Sequence, residues 1–306
     1  MQRSGARPFL KWVGGKRQLL PVLRRFYPRD HGHYFEPFVG SGAVFFDLLG
    51  QGHATGSVTL SDDNPDLIGC YRRVADARED VIAHLERLAA GHTVAPRDHY
   101  YSVRDTRFNP QRSQWRDEGA DPDRYTPELA AILIYLNRTG YNGLFRLNAS
   151  GHFNVPPGRY DRPRILDRAR IDAASAALSG PGVRLHHAPF DQILSHAEPG
   201  DFVYFDPPYA PLSPTANFSQ YTARGFGNDD QERLQRVVIT LATRGVNVLL
   251  SNSTAPAVTR LYEHNPETEA AGLQSSRHPA RRAVNSRADR RGVVEELVVS
   301  NITPAP

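Results

Sequence analysis

The sequence predicts an α/β fold in which a Rossmann-like, doubly wound sheet is interrupted by a long, mostly helical insertion. An apolar strand, a glycine turn, an apolar helix and a second strand form a βαβ unit at 34–39, 40–42, 43–49 and 57–60. Strand patterns resume only at Val183, and this gap is far too long for one crossover connection. The sheet domain is therefore expected at 1–65 and 180–306, and the inserted module at 66–179.

Apolar spacing predicts the remaining elements. On the sheet side we expect a helix at 17–26 and further strands at 183–187, 201–205, 246–250 and 293–299. In the insertion we expect helices at 67–88 and 127–137, and a Pro-, Asp- and Arg-rich loop at 110–126. A glycine- and asparagine-rich segment follows at 139–160.

Composition favours a folded protein inside the cell. Apolar residues make up 40% of the 306 residues, and none of the apolar runs is long enough to span a membrane. The N-terminus lacks a signal-peptide pattern, so we expect the cytoplasm of a bacterium, or of the host of an encoding phage. Cys70 is the single cysteine, so we expect a small core residue there, with no disulfide and no metal site.

The charge pattern is compatible with a polyanionic partner. The net charge is +4 and the pI is about 9.3. Of the 37 basic residues only two are lysines, Lys11 and Lys16, and both lie within residues 9–16. Their clustering indicates a local need for a compact ammonium group, which a guanidinium does not match sterically.

Asp206-Pro207-Pro208-Tyr209, at the end of the apolar run 202–205, is the strongest chemical signal. The Asp206 carboxylate and the Pro207 carbonyl can each accept one N–H of an amino group on a heteroaromatic ring. The prolines remove backbone donors, and Tyr209 can stack on the ring. An ordinary strand-end turn is the alternative for the tetrapeptide taken alone.

The first βαβ unit has the features of a nucleoside site. Gly40-Ser41-Gly42 permits close backbone approach at a helix N-terminus, and Asp62 follows the second strand, where an acid takes ribose hydroxyls. Phe45 occupies the place of the third glycine of a dinucleotide fingerprint, which counts against NAD or FAD. A nucleoside without a pyrophosphate, such as S-adenosylmethionine, fits better.

Six motifs in one order carry a family resemblance. They are Phe-Leu-Lys-Trp-Val-Gly-Gly-Lys (9–16), Glu-Pro-Phe-Val-Gly-Ser-Gly (36–42), Asp62 with Asn64, Leu-Asn-Arg-Thr-Gly-Tyr-Asn-Gly-Leu (136–144), Phe-Asn-Val-Pro-Pro-Gly-Arg-Tyr (153–160) and Asp-Pro-Pro-Tyr-Ala-Pro-Leu-Ser (206–213). In this order they resemble the Dam-type DNA adenine-N6 methyltransferases of the D12 family, over about residues 9 to 300. The segment 215–221 also resembles that family.

The resemblance implies a methyl transfer from S-adenosylmethionine to adenine N6 in duplex DNA, within GATC. It assigns the catalytic role to Asp206, Pro207, Pro208 and Tyr209. It implies cofactor contacts by Trp12, Lys16, Phe38, Gly40, Ser41, Gly42, Asp62, Phe190, Asp191 and Asp206. Taken one by one, Trp12 is better explained as a core anchor and Lys16 as the first residue of a solvated helix face, whereas the constellation of motifs favours the cofactor roles.

The resemblance also implies a DNA-reading hairpin near 136–160, and methylating a base in a duplex requires flipping it out. Tyr141 and Asn142 would insert near the flipped adenine, Leu144 and Pro156 would touch base methyls, and Arg146 and Lys11 would read guanines. Arg138 and Tyr160 complete the expected DNA contacts. A turn-rich surface hairpin with solvated arginines is the alternative. Six arginines in the segment 277–291 predict either a phosphate-binding or a merely solvated loop.

Other functions remain open on the residues alone. Cytosine-N4 methylation needs the same grip on an amine, and an inactive sequence-reading module is a different class of function. RNA is a third substrate option. The missing glycine makes a nicotinamide dehydrogenase a poor candidate. We expect a monomer, and a partner restriction enzyme is possible for such a protein.

Overall fold

Seven strands of the described residues form one sheet in the order β3-β2-β1-β4-β5-β7-β6. The computed structural model describes residues 5–12, 14–53, 56–209, 226–281 and 293–305. The strands are β1 (Tyr34–Glu36), β2 (Val58–Asp62), β3 (Val183–His187), β4 (Phe202–Phe205), β5 (Asn247–Ser253), β6 (Gln274–Arg281) and β7 (Val293–Ser300). The first five pair in parallel, whereas β7 runs antiparallel to both β5 and β6.

Eleven α-helices of the described residues surround and extend the sheet. They are α1 (Leu20–Leu23), α2 (Ala43–Gln51), α3 (Pro65–Asp76), α4 (Arg78–Val94), α5 (Pro96–Ser102), α6 (Asn109–Asp117), α7 (Pro127–Thr139), α8 (Arg168–Leu178), α9 (Asn228–Thr243), α10 (Pro256–Tyr262) and α11 (Pro266–Ala270). A π-helical turn, Val103–Phe108, joins α5 to α6. None of the described helices has the length and apolar character that crossing a bilayer requires.

Both faces of the sheet are covered, as the side-chain alternation of β4 shows. Phe202 and Tyr204 belong to one apolar cluster, and Val203 and Phe205 belong to another. Successive strand side chains point to opposite faces, so a strand that is apolar throughout must be buried on both. Helices α9 and α10 supply the second cluster, and α2 and α3 contribute to the first. The expected α/β doubly wound sheet is confirmed.

The parallel pairing of β1 with β4 creates the crevice of the molecule. Tyr34 pairs with Phe202 and Phe35 with Val203, although the intervening chain holds β2, α3 to α8 and β3. The chain runs outward in one direction from β1 and in the other from β4. In such sheets ligands bind beyond the carboxyl ends of the strands at this reversal point. The turn after Glu36 and the turn beginning at Asp206 therefore lie at the same edge.

Helices α3 to α8 occupy the chain between β2 and β3, where the insertion was expected. Helix α7 is buried along nearly its whole length and packs against α3 and α4. Cys70 in α3 is fully buried, which confirms the expected core role. One continuous apolar cluster includes side chains of these helices and of one face of the sheet.

Three expectations about local structure are wrong. The segment 110–126 is not a loop, because it contains most of α6 and the turn Pro122–Arg124. The buried residues of α6, Asn109, Arg112 and Trp115, recur at helical spacing. Two of the three are polar, so the helical period does not show in the pattern of apolar residues. The helix expected at 67–88 is two helices, which meet at Ala77. Residues 277–281 of the expected basic loop belong to the edge strand β6.

A buried ion pair fixes where α6 packs. Arg112 Nε lies 2.8 Å from Asp66 Oδ1, and Arg112 Nη2 lies 2.7 Å from Asp66 Oδ2. The side chains of Arg112 and Asp66 are 5% and 1% exposed. Arg112 Nη1 also donates to the Gly151 carbonyl at 2.5 Å. The pair thus ties α3, α6 and the segment that contains Gly151 together.

Replacing Arg112 should destabilise the fold strongly. We expect Arg112→Met to lower the free energy of unfolding by about 3–5 kcal/mol, because Asp66 would be left as an uncompensated buried charge. Arg168→Met is the matched control, since Arg168 pairs with Glu79 at 2.6 Å but both side chains are more than half exposed. That control should cost about 1 kcal/mol or less. Urea unfolding measures both, and equal losses would contradict the buried-pair argument.

Candidate active site

The glycine turn after β1 is held in a fixed shape. Gly40 and Gly42 have φ of +46° and +67°, the left-handed region that favours glycine. The Gly40 N–H donates to Asp62 Oδ2 at 3.1 Å, and its carbonyl accepts from the Tyr71 hydroxyl at 3.0 Å. The Val39 N–H donates to the Ser61 carbonyl at 2.9 Å. The turn is therefore clamped to the end of β2.

Asp62 is a half-buried carboxylate whose two oxygens are already oriented. Its Oδ1 accepts from the Asn64 N–H at 3.0 Å, while Oδ2 accepts from Gly40. Burial raises the pKa of Asp62 to about 7, and the two backbone N–H groups oppose that rise. Each carboxylate oxygen can accept a second hydrogen bond, so the group suits neutral hydroxyl donors.

Aromatic side chains bound this crevice on two sides. Trp12 lies so close to Gly40 that a Cβ there would be 3.0 Å from Trp12 Cδ1. Phe38 stacks on Phe190 with ring centroids 5.3 Å apart. Arg233 lies over the Phe190 ring, with its Cζ 4.7 Å from the ring centroid. Trp12 and Phe38 are half-buried, so their rings can offer flat apolar surface to a planar ring beside a polar turn.

Asp191 stands at the edge of the aromatic pair rather than inside it. It is half-buried, and its Oδ2 lies 3.6 Å from Arg233 Nε. That distance is an ion pair without a well-formed hydrogen bond. Its carboxylate oxygens therefore still have acceptor capacity.

Glu36, the first residue of the motif at 36–42, joins β1 to α2 beside the crevice, a role that the sequence did not predict. It is almost fully buried, and its Oε2 accepts from the Tyr34 hydroxyl at 2.8 Å and the Phe45 N–H at 3.0 Å. Burial raises the pKa of Glu36 to about 8, and the charges of Asp206 and Asp62 add to the rise. By accepting from the Phe45 N–H, Glu36 at the end of β1 anchors the first turn of α2.

The turn after β4 carries a buried ion cluster. Lys16 Nζ lies 2.7 Å from Asp206 Oδ1 and 3.0 Å from the Gly14 carbonyl, and it also donates to the Tyr209 hydroxyl. The Tyr209 hydroxyl in turn donates to Glu296, whose Oε2 is 3.7 Å from Lys16 Nζ. Lys16 is only 4% exposed. Three of the residues singled out in the sequence, Lys16, Asp206 and Tyr209, therefore meet in one contact network.

Competing effects set the ionisation of Asp206. Burial raises the pKa of Asp206 to about 6, the neighbouring Lys16 ammonium opposes this, and the charge of Glu296 adds to it. A hydrogen bond from Ser251 favours the charged form. Sequence reasoning missed Glu296 and Ser251. The sequence held one indication of Glu296: it directly precedes the apolar run at the end of β7, and a charged side chain beside buried residues requires a partner.

The two prolines are tied to α9 and β5. Pro207 is buried, and the Pro208 carbonyl accepts from Gln231 Nε2 at 3.2 Å. The Gln231 Oε1 accepts from Asn252 Nδ2 at 2.9 Å, and both amide side chains are fully buried. A buried amide pair of this kind holds the turn in one orientation.

Asn137 joins the N-terminal segment to the insertion. Its Oδ1 accepts from the Lys11 N–H at 2.8 Å, and its Nδ2 donates to the carbonyls of Lys11 and Gly143 at 2.6 and 2.9 Å. Lys11 Nζ lies 4.4 Å from the centroid of the Tyr160 ring. Burial, with the charge of Arg138, lowers the pKa of Lys11.

The segment after α7 folds back on itself as a hairpin-like loop. Gly140 pairs with Pro157 and Leu147 with Phe153 in isolated antiparallel bridges. Asn142 adopts a φ of +55° at the tip of the first turn. Five of the expected DNA-contacting residues are exposed and two are half-buried; the exposed ones are Lys11, Tyr141, Arg146, Pro156 and Tyr160, and the half-buried ones are Asn142 and Leu144.

Arg138 has a different environment from the other expected DNA contacts. It is buried, and its Nη2 donates to the Phe9 carbonyl. Burial lowers the pKa of Arg138, and the charge of Arg170 adds to this effect. The side chain thus fastens the N-terminal segment to α7, and we assign it a positioning role there.

Several expected features lie partly or wholly beyond the described residues. Arg277 is in β6 and pairs with Glu263, with Nε 2.6 Å from Oε1, so it is not a free cation. The remainder of the basic segment, 282–291, and the segment 215–221 lie outside the described residues. Among those described, no group of three His, Cys, Asp or Glu side chains is arranged to hold a metal ion.

Comparison with known proteins identifies the relatives of this chain. Residues 12–275 match the model of the D12 class N6 adenine-specific DNA methyltransferases. The chain is 37% identical over 295 residues to the Type II methyltransferase M1.LlaDCHI of Lactococcus lactis subsp. cremoris, covering 96% of this chain and 95% of the relative. It is 36% identical over 306 residues to M.MjaIII of Methanocaldococcus jannaschii, with coverages of 96% and 99%. It is 34% identical over 292 residues to the DNA adenine methylase of Escherichia coli K12, with coverages of 95% and 94%.

A side chain at Gly40 should move Trp12. We expect Gly40→Ala to shift the fluorescence emission of Trp12, because the new Cβ would lie 3.0 Å from its indole. Gly52→Ala is the matched control, since Gly52 has a φ of +78° and open space around it. Both variants should lose about 1–2 kcal/mol of stability from backbone strain. Spectra in a Trp115→Phe background isolate Trp12, and an unchanged emission in Gly40→Ala would refute the contact.

Proposed function

Because the chain belongs to the D12 class of N6 adenine-specific DNA methyltransferases, we propose that its methyl donor is S-adenosylmethionine and that its target adenine lies in GATC. The observation that carries the proposal is the meeting of two turns at one crevice. The amine-gripping turn at Asp206 follows β4, and the nucleoside-type turn at Gly40 follows β1, its neighbour in the sheet. A donor and an acceptor base bound there would be adjacent.

The residues around the glycine turn suit the proposed donor. Asp62 would accept the ribose hydroxyls, since both of its oxygens keep acceptor capacity beside the Gly40 and Asn64 N–H groups. Phe38 and Phe190 would bound the adenine ring, with Asp191 at their edge. Trp12 would close the side next to the glycines. When bound, S-adenosylmethionine supplies a methyl group attached to a positively charged sulfur.

Asp206 would act as the acceptor for the target amine. With its pKa raised to about 6 it is mostly ionised at neutral pH and accepts N–H bonds strongly. Together with the Pro207 carbonyl it would hold the adenine N6 pyramidal and stabilise the positive charge that develops there. No strong base is needed, since the proton can leave after the methyl group has transferred. Tyr209 would lie against the base.

The insertion would bring the DNA to this crevice. We assign residues 66–179 to a target-recognition domain, and 1–65 with 180–306 to the catalytic domain. The exposed rings of Tyr141 and Tyr160, 41% and 37% exposed, support this assignment, because large exposed aromatic side chains suit contacts with bases. The adenine would be flipped out of the duplex, with Tyr141 and Asn142 entering the gap.

Arg146 and Lys11 would read guanines at the two ends of the site. Arg146 is exposed, and Asn154 Oδ1 accepts from its Nε at 2.8 Å, which orients the guanidinium. Such a group can donate twice to guanine O6 and N7. Lys11 is held at its backbone by Asn137 and at its ammonium by the Tyr160 ring. We expect the enzyme to act as a monomer. We expect it in the cytoplasm, because its substrate is DNA.

The direct test is a methylation assay with Asp206 replaced. The protein, S-adenosylmethionine and a GATC duplex should yield N6-methyladenine on digestion to nucleosides. Asp206→Asn should lower kcat by roughly 10²–10³ or more, because it removes the charged acceptor of the amine. Asp98→Asn, at an exposed carboxylate of α5, is the control and should leave the rate unchanged. N4-methylcytosine as product, or DNA binding without methylation, would sink the proposal.

Arg146 offers a separate test of sequence reading. We expect Arg146→Ala to relax the preference at one guanine by about 1–3 kcal/mol, with a smaller effect on overall binding. Arg87→Ala, at an exposed arginine of α4, should change neither. Methylation rates on duplexes that carry single substitutions in GATC give the measurement. A uniform loss on all sequences would show that Arg146 contacts phosphate instead.

A further inference from the structure

Lys16 has the same two partners that the target base would need. An ammonium group has three N–H donors, and here they go to Asp206 Oδ1 at 2.7 Å, the Gly14 carbonyl at 3.0 Å and the Tyr209 hydroxyl. Its Nζ also lies 4.3 Å from the centroid of the Tyr209 ring. The amine acceptor and the aromatic surface proposed for adenine are thus both engaged by one lysine.

Ammonium and exocyclic amine compete for the same acceptor. Lys16 Nζ lies 2.7 Å from Asp206 Oδ1 and over the Tyr209 ring, which is where the amino group of the target base is proposed to bind. A base that binds there must therefore displace the ammonium from that position. An ammonium 4% exposed cannot lose an anionic partner without a large desolvation cost. Base entry therefore needs a second acceptor for Lys16 close by.

Glu296 is placed to be that acceptor. Its Oε2 lies 3.7 Å from Lys16 Nζ, about 1 Å beyond a charge-assisted hydrogen bond. It already accepts from the Tyr209 hydroxyl, so it belongs to the same contact network. It projects from β7 opposite Ser253, whose Oγ is buried without a hydrogen-bond partner among the described residues.

We propose that Lys16 is a placeholder for the target amino group on Asp206, and that Glu296 is the positioning residue that takes over the ammonium when the base enters. The inference rests on the proposed role of Asp206 as acceptor of the amine. It gives Glu296, the half-buried carboxylate on β7, a function in the reaction without contact to the base. It also keeps Asp206 paired whenever no base is bound.

Glu296→Gln tests the transfer, because the amide retains an acceptor for Tyr209 but lacks the charge that attracts Lys16. The displacement follows duplex binding, so kcat should fall roughly ten- to hundredfold while KM for DNA stays nearly constant. Glu295→Gln is the matched control: it is the adjacent residue of the same strand, half-exposed and directed to Arg277. That variant should behave as the wild type in both constants.

The pH profile separates this role from a merely structural one. The groups that face Asp206 are Lys16, Glu36, Tyr204, Tyr209 and Glu296. The charge of Glu296 raises the pKa of Asp206, so its removal should move the acid limb of kcat from near pH 6 to lower pH. A purely structural defect would lower the rate at every pH and leave the limb in place.

A double-variant cycle gives the decisive outcome. At saturating donor, Glu296→Gln should reduce kcat much less in a Lys16→Gln background than in the wild type, because no ammonium then needs a new partner. The same fold-loss in both backgrounds, or Glu296→Gln indistinguishable from Glu295→Gln, would overturn the inference. Absence of methylation by the wild-type protein would instead be a failure of the proposed function. Thermal melting of each variant verifies that it is folded.

Discussion

The parallel pairing of β1 with β4 is the constraint on which the rest of the structure depends. These strands are neighbours only because everything from β2 to β3 is placed to one side of β1. Their carboxyl ends bring the turn at Gly40 and the turn at Asp206 to one crevice, which neither segment forms alone. The helices between β2 and β3 can be long and varied without disturbing the crevice, because they leave and re-enter the sheet away from that pairing.

The N-terminal segment 9–16 couples the two functional regions more directly than the sheet does. Asn137 holds the backbone of Lys11 beside the hairpin-like loop, and Trp12 lies against Gly40. Lys16, four residues further along the chain, reaches Asp206. The hairpin-like loop and the crevice are therefore both in contact with the same short stretch of the chain. The buried Arg138, which donates to the Phe9 carbonyl, strengthens the same connection.

The sequence predicted those features whose signal is local. Short apolar runs predicted the parallel strands, and the glycine turn and Asp62 fell where the βαβ pattern required them. It could not predict α6, because the helix is held by a pairing of Arg112 with Asp66 across 46 residues. Glu296 escaped for the same reason. Its carboxylate has meaning only beside Lys16 and Tyr209, which lie far away in the chain.

The arginine bias of the chain sharpens the significance of Lys16. Only two of 37 basic residues are lysines, so a lysine at position 16 is an exception to the arginine bias of the chain. The three contacts of its ammonium explain why. Three acceptors surround the Lys16 nitrogen: the Asp206 carboxylate, the Gly14 carbonyl and the Tyr209 hydroxyl. The tetrahedral ammonium can donate to all three, whereas the donors of a guanidinium all lie in one plane. A guanidinium would also bind the Asp206 carboxylate through both oxygens and hold it more firmly against an incoming amine. In the proposed exchange, Lys16 leaves Asp206 when the base enters, and a partner that binds through a single N–H group is the easier one to displace.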